Sequence, residues 1–362
     1  MYRLIRPALF ALDAERAHEA TVGALSCVAR SGPVRRWLAG RFERRDPRLE
    51  VHAFGVRFPA PVGVAAGLDK TGAALPIWGA LGFGHVEIGT VTPRPQPGNP
   101  RPRVVRLPAD RAVINAMGFP SEGVEAALRR FERWRDAGAW PDVPVGVNLG
   151  KNAATPFASA ADDYRTVARL AAPWADWLAI NVSSPNTEGL RGLQDADRLH
   201  DLVAAVVADA DATPVLVKLG PDLDEEAASA AARVVEAAGA AGLIATNTTV
   251  ARAGLRHDPG RPGGLSGRPL QLRARATLRT LRAATDLPIV SVGGIDGPEE
   301  ALARIVAGAD LLQLYTALIY DGPGLVARVH DGLIRELDRT GATSLRELRR
   351  LAPPGAVAAP RS

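Results

Sequence analysis

The sequence predicts an α/β chain: a (β/α)8 TIM barrel with an N-terminal amphipathic helical hairpin. Three observations predict it. Eight short apolar segments recur along the chain, and each has Gly, Asn, Ser, Thr or Lys at or beside its end. Stretches rich in Ala, Leu and Arg, with helical spacing, separate most of them. Within each segment the apolar run is continuous rather than alternating, as burial on both faces of a parallel sheet requires.

The N-terminal residues 1–45 stand apart from that repeat. Leu4, Ile5, Ala8, Leu9 and Leu12 make an apolar stripe, and Asp13 is the expected N-cap of a second helix. In that helix Ala14, Ala17, His18, Thr21, Leu25 and Val28 share one face. PVRRWLAGRFERR (33–45) follows as a basic tail. The barrel unit is expected over residues 46–340. Its strands are expected in PVGVAAG (61–67), HVEIGTV (85–91), VPVGVNLG (143–150), WLAINVSS (177–184), PVLVKLG (214–220), AGLIATNTT (241–249), LPIVSVGGI (287–295) and ADLLQLYTA (309–317). Helical spacing is clearest over 161–175 and over 224–240, the latter beginning at Asp224. Residues 341–362 are expected as a partly disordered tail ending PPGAVAAPRS.

Two connections are long. Residues 92–142 begin PRPQPGNPRPR, whose prolines exclude helix and imply an extended excursion over the barrel mouth. A helix is expected after it over 121–138, with Ser121 as N-cap. The second, 250–268, is rich in Gly, Pro and Arg; loops this long in a compact domain usually carry function. An open doubly wound sheet is the alternative. It is disfavoured because no GxGxxG follows the first strand, and AAGLDKTG (65–72) has the wrong glycine spacing.

Composition narrows the function. The 362-residue chain is 47% hydrophobic and 23% charged, ordinary globular values. Its single cysteine, Cys27, excludes a disulfide framework and a cysteine metal cluster. Net charge is +5, of which residues 1–50 carry +4, with ten Arg against six Asp plus Glu. The rest is near balance and holds no ladder of aromatics, which argues against nucleic acid. No apolar run is long enough to span a bilayer, and the charges of MYRLIRPALFALDAERAHE are too close together for a signal peptide. The expected location is the cytoplasmic side of the cell.

In such barrels the reactive groups stand at the carboxyl ends of the strands. Those ends carry Lys70, Thr90, Asn148, Asn181 through Asn186, Lys218, Thr246 with Asn247, Gly293 with Gly294, and Tyr315 with Thr316. The strand ends lack histidine, and the nearest acid is Asp69. The six histidines are scattered at 18, 52, 85, 200, 257 and 330, so neither a metal set nor a Ser–His–Asp triad can be assembled. Amides and hydroxyls suit a planar heterocycle with several C=O and N–H groups. The glycine pair and GGIDGPEE (293–300) suit a phosphate held on backbone N–H groups.

These motifs together resemble a known family. AAGLDKTG (65–72), EIGTVTPRPQPGNPRPR (87–103), INAMGF (114–119), NVSSPNTEGLR (181–191), KLGPD (218–222), ATNTT (245–249), GGLSGRPL (263–270), SVGGI (291–295) and YTALIYDGP (315–323) resemble dihydroorotate dehydrogenases over essentially the whole chain. The resemblance implies an FMN barrel, one FMN per chain, that oxidises dihydroorotate to orotate in pyrimidine biosynthesis. A serine in NVSSPNT and the helical N-terminus resemble the membrane-associated, quinone-using branch. The soluble branch uses a cysteine base, whereas Cys27 lies far from every motif.

The resemblance also implies roles. Ser184 resembles the base, with Thr187 and a water chain as proton relay. Lys70, Asn115, Ala116, Met117, Gly118, Phe119, Asn181, Asn186, Asn247 and Thr248 resemble substrate contacts. Ala65, Ala66, Gly67, Lys70, Thr90, Asn148, Asn181, Lys218, Thr246, Gly267, Gly294, Tyr315 and Thr316 resemble flavin contacts, Lys218 standing beside the flavin's pyrimidine edge. His18, Arg106 and Tyr315 match positions along a quinone tunnel. Ala116 departs from the Arg common in the family, and Pro120–Ser121 stand where Asn residues are usual. A peripheral monomer on an anionic membrane surface, with no metal and no nucleic acid, is the resulting expectation. A phosphate-binding isomerase or synthase, a flavoprotein without turnover, and the soluble branch with another acceptor are the rivals.

Overall fold

The structure is a computed structural model describing residues 2–187 and 189–351. Eight parallel strands close into a barrel: β1 Val62–Val64, β2 His85–Val91, β3 Val145–Leu149, β4 Trp177–Asn181, β5 Val215–Leu219, β6 Gly242–Ala245, β7 Ile289–Val292 and β8 Leu311–Leu314. Each expected segment contains one of them, and neighbours in sequence are neighbours in the sheet. Every residue of all eight is buried, as the continuous apolar runs predict.

At the amino end of the barrel, Val51–Ala53 and Val56–Phe58 form an antiparallel hairpin that the periodicity did not reveal. Its Phe58 packs edge-on against His85, at 5.3 Å between ring centroids, and lies 5.8 Å from Trp177. That aromatic floor leaves the carboxyl end as the open end.

A second sheet covers part of the mouth. Val104–Leu107, Ala112–Asn115 and Gly264–Gly267 pair antiparallel, with 112–115 in the centre. The two long connections are therefore one structure, each supplying strands to the other. Residues 92–103 form no helix, as expected, but they are irregular rather than extended, with an isolated antiparallel bridge from Gln96 to Ser121 and a left-handed Gly98. Ser121 is not the cap of the following helix, Val124–Asp136: Gly123 takes that place. The Ser121 hydroxyl is instead occupied by the backbone N–H groups of Thr92 and Gly123, both at 3.2 Å.

The N-terminal segment holds three helices rather than two: α1 Tyr2–Ala11, α2 Ala14–Ala29 and α3 Gly32–Phe42. Asp13 caps α2 as expected, its Oδ1 accepting from Glu15 N at 3.0 Å and Arg16 N at 3.1 Å. The expected basic tail is helix α3, opened by Pro33 in its first turn. The Arg106 guanidinium donates to Leu9 O (2.9 Å), Phe10 O (3.3 Å) and Leu12 O, fastening the carboxyl end of α1 to the mouth sheet. Past residue 340 the expected tail includes a further helix, Leu345–Leu351, whose Leu345 and Leu348 are buried. PPGAVAAPRS lies outside the described residues.

Candidate active site

A cavity of about 620 Å3 opens at the carboxyl ends of the strands and runs outward beneath α1 and α2. At its inner end lie Lys70, Thr90, Asn181, Ser184, Lys218 and Asn247; at its outer end lie Ile5, Leu9, Thr21, Leu25 and Val28. Every residue to which the resemblance gives a role lines it except Ala116, Asn148 and Thr187.

The inner wall is a chain of hydrogen bonds that crosses the barrel. Asn247 Nδ2 donates to Asn181 Oδ1 at 3.2 Å and to Ser183 Oγ at 3.1 Å. Asn181 Nδ2 donates to Thr90 Oγ1 at 3.2 Å and to Asn148 Oδ1 at 3.1 Å. Asn148 Nδ2 passes to Glu87 Oε1 at 2.8 Å, and Gln313 Nε2 reaches Glu87 Oε2 at 2.8 Å. Lys218 Nζ stands 3.8 Å from Glu87 Oε1. Strand register produces this: Asn148 is paired across the sheet with Gly89, and Asn181 with Lys218. Asn148 thus lies one layer behind the cavity and orients Thr90 and Asn181.

Glu87 was missed from sequence. It is fully buried in β2, where the sequence shows one acid inside an apolar strand. A charge within a strand buried on both faces demands a partner, and that demand was the available signal. Asp69, the acid singled out from sequence, does not line the cavity. Its carboxylate accepts from Ala73 N (2.9 Å), Ala74 N (3.0 Å) and Trp78 Nε1 (3.1 Å) and shapes the turn after β1.

The rim does have a histidine, brought by α2. Lys70 Nζ lies 3.1 Å from His18 Nε2 and donates to Gly67 O at 2.8 Å. Burial pulls the Lys70 ammonium down to about 8, opposed by the nearby Glu15 and Asp69 carboxylates. Burial, then the Lys70 charge, pulls His18 down to about 3. His18 is therefore neutral near pH 7, with Nε2 as acceptor from Lys70 and the proton on Nδ1. Its ring lies 6.4 Å from that of Tyr315, whose phenol is pushed up by burial.

Two loops carry the remaining amides. Asn186 Nδ2 donates to Asn115 Oδ1 at 3.2 Å, joining the NVSSPNT loop to the INAMGF loop. Ser184 is 5% exposed, and its Oγ accepts from Asn186 N at 3.3 Å. Thr187 Oγ1 is enclosed without a protein partner among the described residues. Ala116 turns from the cavity and is held by its backbone, its carbonyl accepting from Asn99 Nδ2 at 2.9 Å.

The opposite wall fits a phosphate. Gly267 and Gly294 hold φ of +95° and +78°, and an added Cβ would lie 2.3 Å from Arg111 O and 2.6 Å from Gln271 Cα respectively. Only glycine fits the backbone at these two turns, and turns of this kind are the ones that can offer N–H groups to an anion. With Thr246, Tyr315 and Thr316 beside it, this wall suits a flat nucleotide. Among the described residues no group of His, Cys, Asp and Glu is placed to hold a metal.

A protein-family model described as dihydroorotate dehydrogenase matches residues 48–337. The chain is 48% identical over 353 residues to the dihydroorotate dehydrogenase (quinone) of Mycobacterium tuberculosis, covering 96% of this chain and 97% of that one. It is 48% identical over 344 residues to the enzyme of the same name from Thermus thermophilus, covering 94% and 99%. The crystal structure of DHODH from Eimeria tenella in complex with ferulenol superposes with a TM-score of 0.82, at 36% identity over 92% of this chain and 94% of that one. The ligand-free form from the same organism gives 0.78 at 37% identity, over 88% and 97%.

Proposed function

The chain belongs to the dihydroorotate dehydrogenase family, and from that premise we propose how its residues divide the work. It is a flavin-dependent oxidoreductase that oxidises dihydroorotate to orotate and passes the electrons to a quinone. The observation that carries the detailed reading is the single cavity with a polar inner end and an apolar outer end. One end suits a pyrimidine and a flavin, the other a hydrocarbon-bearing quinone.

The flavin is FMN, one per chain, its phosphate held on the Gly267 and Gly294 wall. When bound it supplies two-electron chemistry, accepting hydride from the substrate and reducing the quinone. Asn115, Asn181, Asn186, Asn247 and Thr248 bind the pyrimidine ring, each amide offering both a donor and an acceptor. Met117, Gly118 and Phe119 close the pocket over it. Lys218, kept in place by Glu87, sets a fixed positive charge beside the bound heterocycles. Lys70 provides the second.

Ser184 takes the substrate's C5 proton. A serine hydroxyl is a weak base in water, so its own proton must leave as the new one arrives. Thr187, three residues on in the same loop and with its Oγ1 enclosed without a protein partner among the described residues, serves as the relay. Water exclusion by the two loops keeps the transfer within this path.

His18, Arg106 and Tyr315 line the quinone passage. Its outer face is suited to a membrane surface: Leu4 of α1 is 82% and Trp37 of α3 65% exposed, and Ile5 of α1, Leu12 just past α1 and Val34 of α3 are exposed too. Arg35, Arg36 and Arg41 share α3 with Trp37. No helix among the described residues is long and apolar enough to cross a membrane. The proposed mode is peripheral binding to an anionic surface on the cytoplasmic side, by a monomer, since one chain supplies the whole cavity. Orotate would then feed pyrimidine nucleotide synthesis.

The test is spectroscopic. Purified protein should carry a flavin absorbance that dihydroorotate bleaches without oxygen and a quinone restores. S184A should keep the flavin and bleach about a hundredfold more slowly or worse. Bleaching by S184A at the wild-type rate would exclude Ser184 as base.

A further inference from the structure

We infer that Arg103 is a positioning residue through which the docking of α2 fixes the shape of the substrate pocket. This rests on the reading that Asn115 and Asn186 bind the substrate.

Arg103 ends the proline-rich excursion, and both its side chain and that of Glu15 are 6% exposed. Its Nη2 donates to Glu15 Oε1 at 2.7 Å, and its Nε lies 3.1 Å from Oε1 and 3.2 Å from Oε2. Glu15 belongs to α2, one turn before His18. The remaining Arg103 nitrogen, Nη1, donates to Pro97 O and Asn99 O, both at 2.7 Å. One guanidinium therefore joins the helix of the quinone passage to residues 97–99.

Asn99 carries the link onward. Its Nδ2 donates to Ala116 O at 2.9 Å and to Asn186 O at 3.1 Å. Those carbonyls belong to the two loops whose side chains Asn115 and Asn186 meet across the pocket. Backbone bonds fix the same unit: Asn99 N to Met117 O at 3.0 Å and Ala116 N to Arg103 O at 2.8 Å. Gly98 leaves no slack. At φ +74°, an added Cβ would lie 2.3 Å from Met117 O and 2.7 Å from Arg103 Nη1.

Buried ions tolerate only the geometry that compensates their lost hydration, so a pair of this kind specifies register more than it adds stability. Arg101 also reaches Glu15, at 3.1 Å, but it is 54% exposed and touches neither loop. Arg103 is the member that connects. A change on α2 that breaks the pair should release residues 97–99 and, through Asn99, loosen both substrate loops.

The experiment uses the full-length, flavin-loaded enzyme and two readouts: orotate affinity by equilibrium dialysis, and dihydroorotate kinetics with a small water-soluble dye as acceptor in place of quinone. E15Q should weaken orotate about tenfold and raise the dihydroorotate KM more than it lowers kcat, with flavin content unchanged. A merely structural loss would lower the active fraction, hence apparent kcat, and leave KM alone. R103K, which keeps the charge toward Glu15 but loses the forked donation to 97–99, should show the same KM shift. If E15Q does not accumulate folded, E15D, one methylene shorter, is read identically and should weaken orotate a few-fold. Orotate affinity within twofold of wild type in these variants overturns the inference. If wild-type protein itself neither binds orotate nor oxidises dihydroorotate, it is the underlying functional reading that fails.

Discussion

Lys70 Nζ and His18 Nε2 lie 3.1 Å apart, joining the turn after β1 to helix α2. The contact puts a partly buried cation against a neutral imidazole, and it makes the inner and outer ends of the cavity adjoin at one hydrogen bond. Its removal has a directional consequence. H18F deletes the acceptor and should depress the Lys70 pKa further. It should raise the quinone KM about tenfold, roughly 1.4 kcal/mol of lost contact, while dihydroorotate bleaches the flavin at nearly the wild-type rate. Stopped-flow measurement of the two half-reactions separately checks this.

Lys70 also predicts a pH dependence of stability. Burial lowers its pKa from 10.5 to about 8. Between those values the unfolded chain holds more protons at this site than the folded chain, so stability rises with pH across that window. Below about 8 both states are protonated and the whole burial penalty is in force. K70M should therefore be more stable than wild type at neutral pH, by up to about 3 kcal/mol, with the gain shrinking toward pH 10. Urea unfolding of both proteins at the two pH values measures it. A difference that does not change with pH would contradict the titration.

The barrel and its polar mouth were legible because two independent signals coincide in each segment. An apolar run marks a buried strand, and the polar residue that ends it marks the rim. Asn148, Asn181 and Lys218 satisfy both. Glu87 and Gln313 were not legible by that rule, since each sits inside a strand and its purpose is set by a partner on another strand. Arg103 was obscured differently: it lies in a proline-rich run whose composition reads as loop, and its partner Glu15 is 88 residues away. The mouth sheet was missed because VVRL and AVIN are only four residues each, too short to separate from the surrounding irregular chain.

Glu87 and Lys218 should behave as a coupled pair. Glu87 is fully buried and Lys218 6% exposed, with Nζ 3.8 Å from Oε1. E87Q leaves the ammonium without its counter-charge and should cost about 3–5 kcal/mol of stability. E87Q/K218M, which removes both charges, should recover much of that loss in thermal melts of flavin-free protein. A loss in E87Q/K218M equal to the sum of the losses in E87Q and in K218M would mean that the two side chains do not interact.

Beneath the Gly293–Gly294 turn lies a second buried cluster, and it bears on how the wall proposed for the phosphate keeps its shape. Arg304 is fully buried; its Nη2 donates to Gly293 O at 2.6 Å and Gln271 O at 3.0 Å, and its Nη1 to Ser291 Oγ at 3.0 Å. Glu300 bridges it to Arg275, accepting from Arg304 Nε at 2.6 Å. Two guanidiniums share one carboxylate, so the cluster stands behind the wall with a net positive charge. R304M should leave Glu300 and the Gly293 carbonyl without this donor and let the turn relax. Its effect should depend on the phosphate: FMN affinity should drop about tenfold, and affinity for riboflavin, which lacks the phosphate, about twofold or less. Fluorescence titration of flavin-free protein with each compound measures both. An equal loss for the two flavins would assign Arg304 to the stability of the β7 region alone, and would move the phosphate away from this wall.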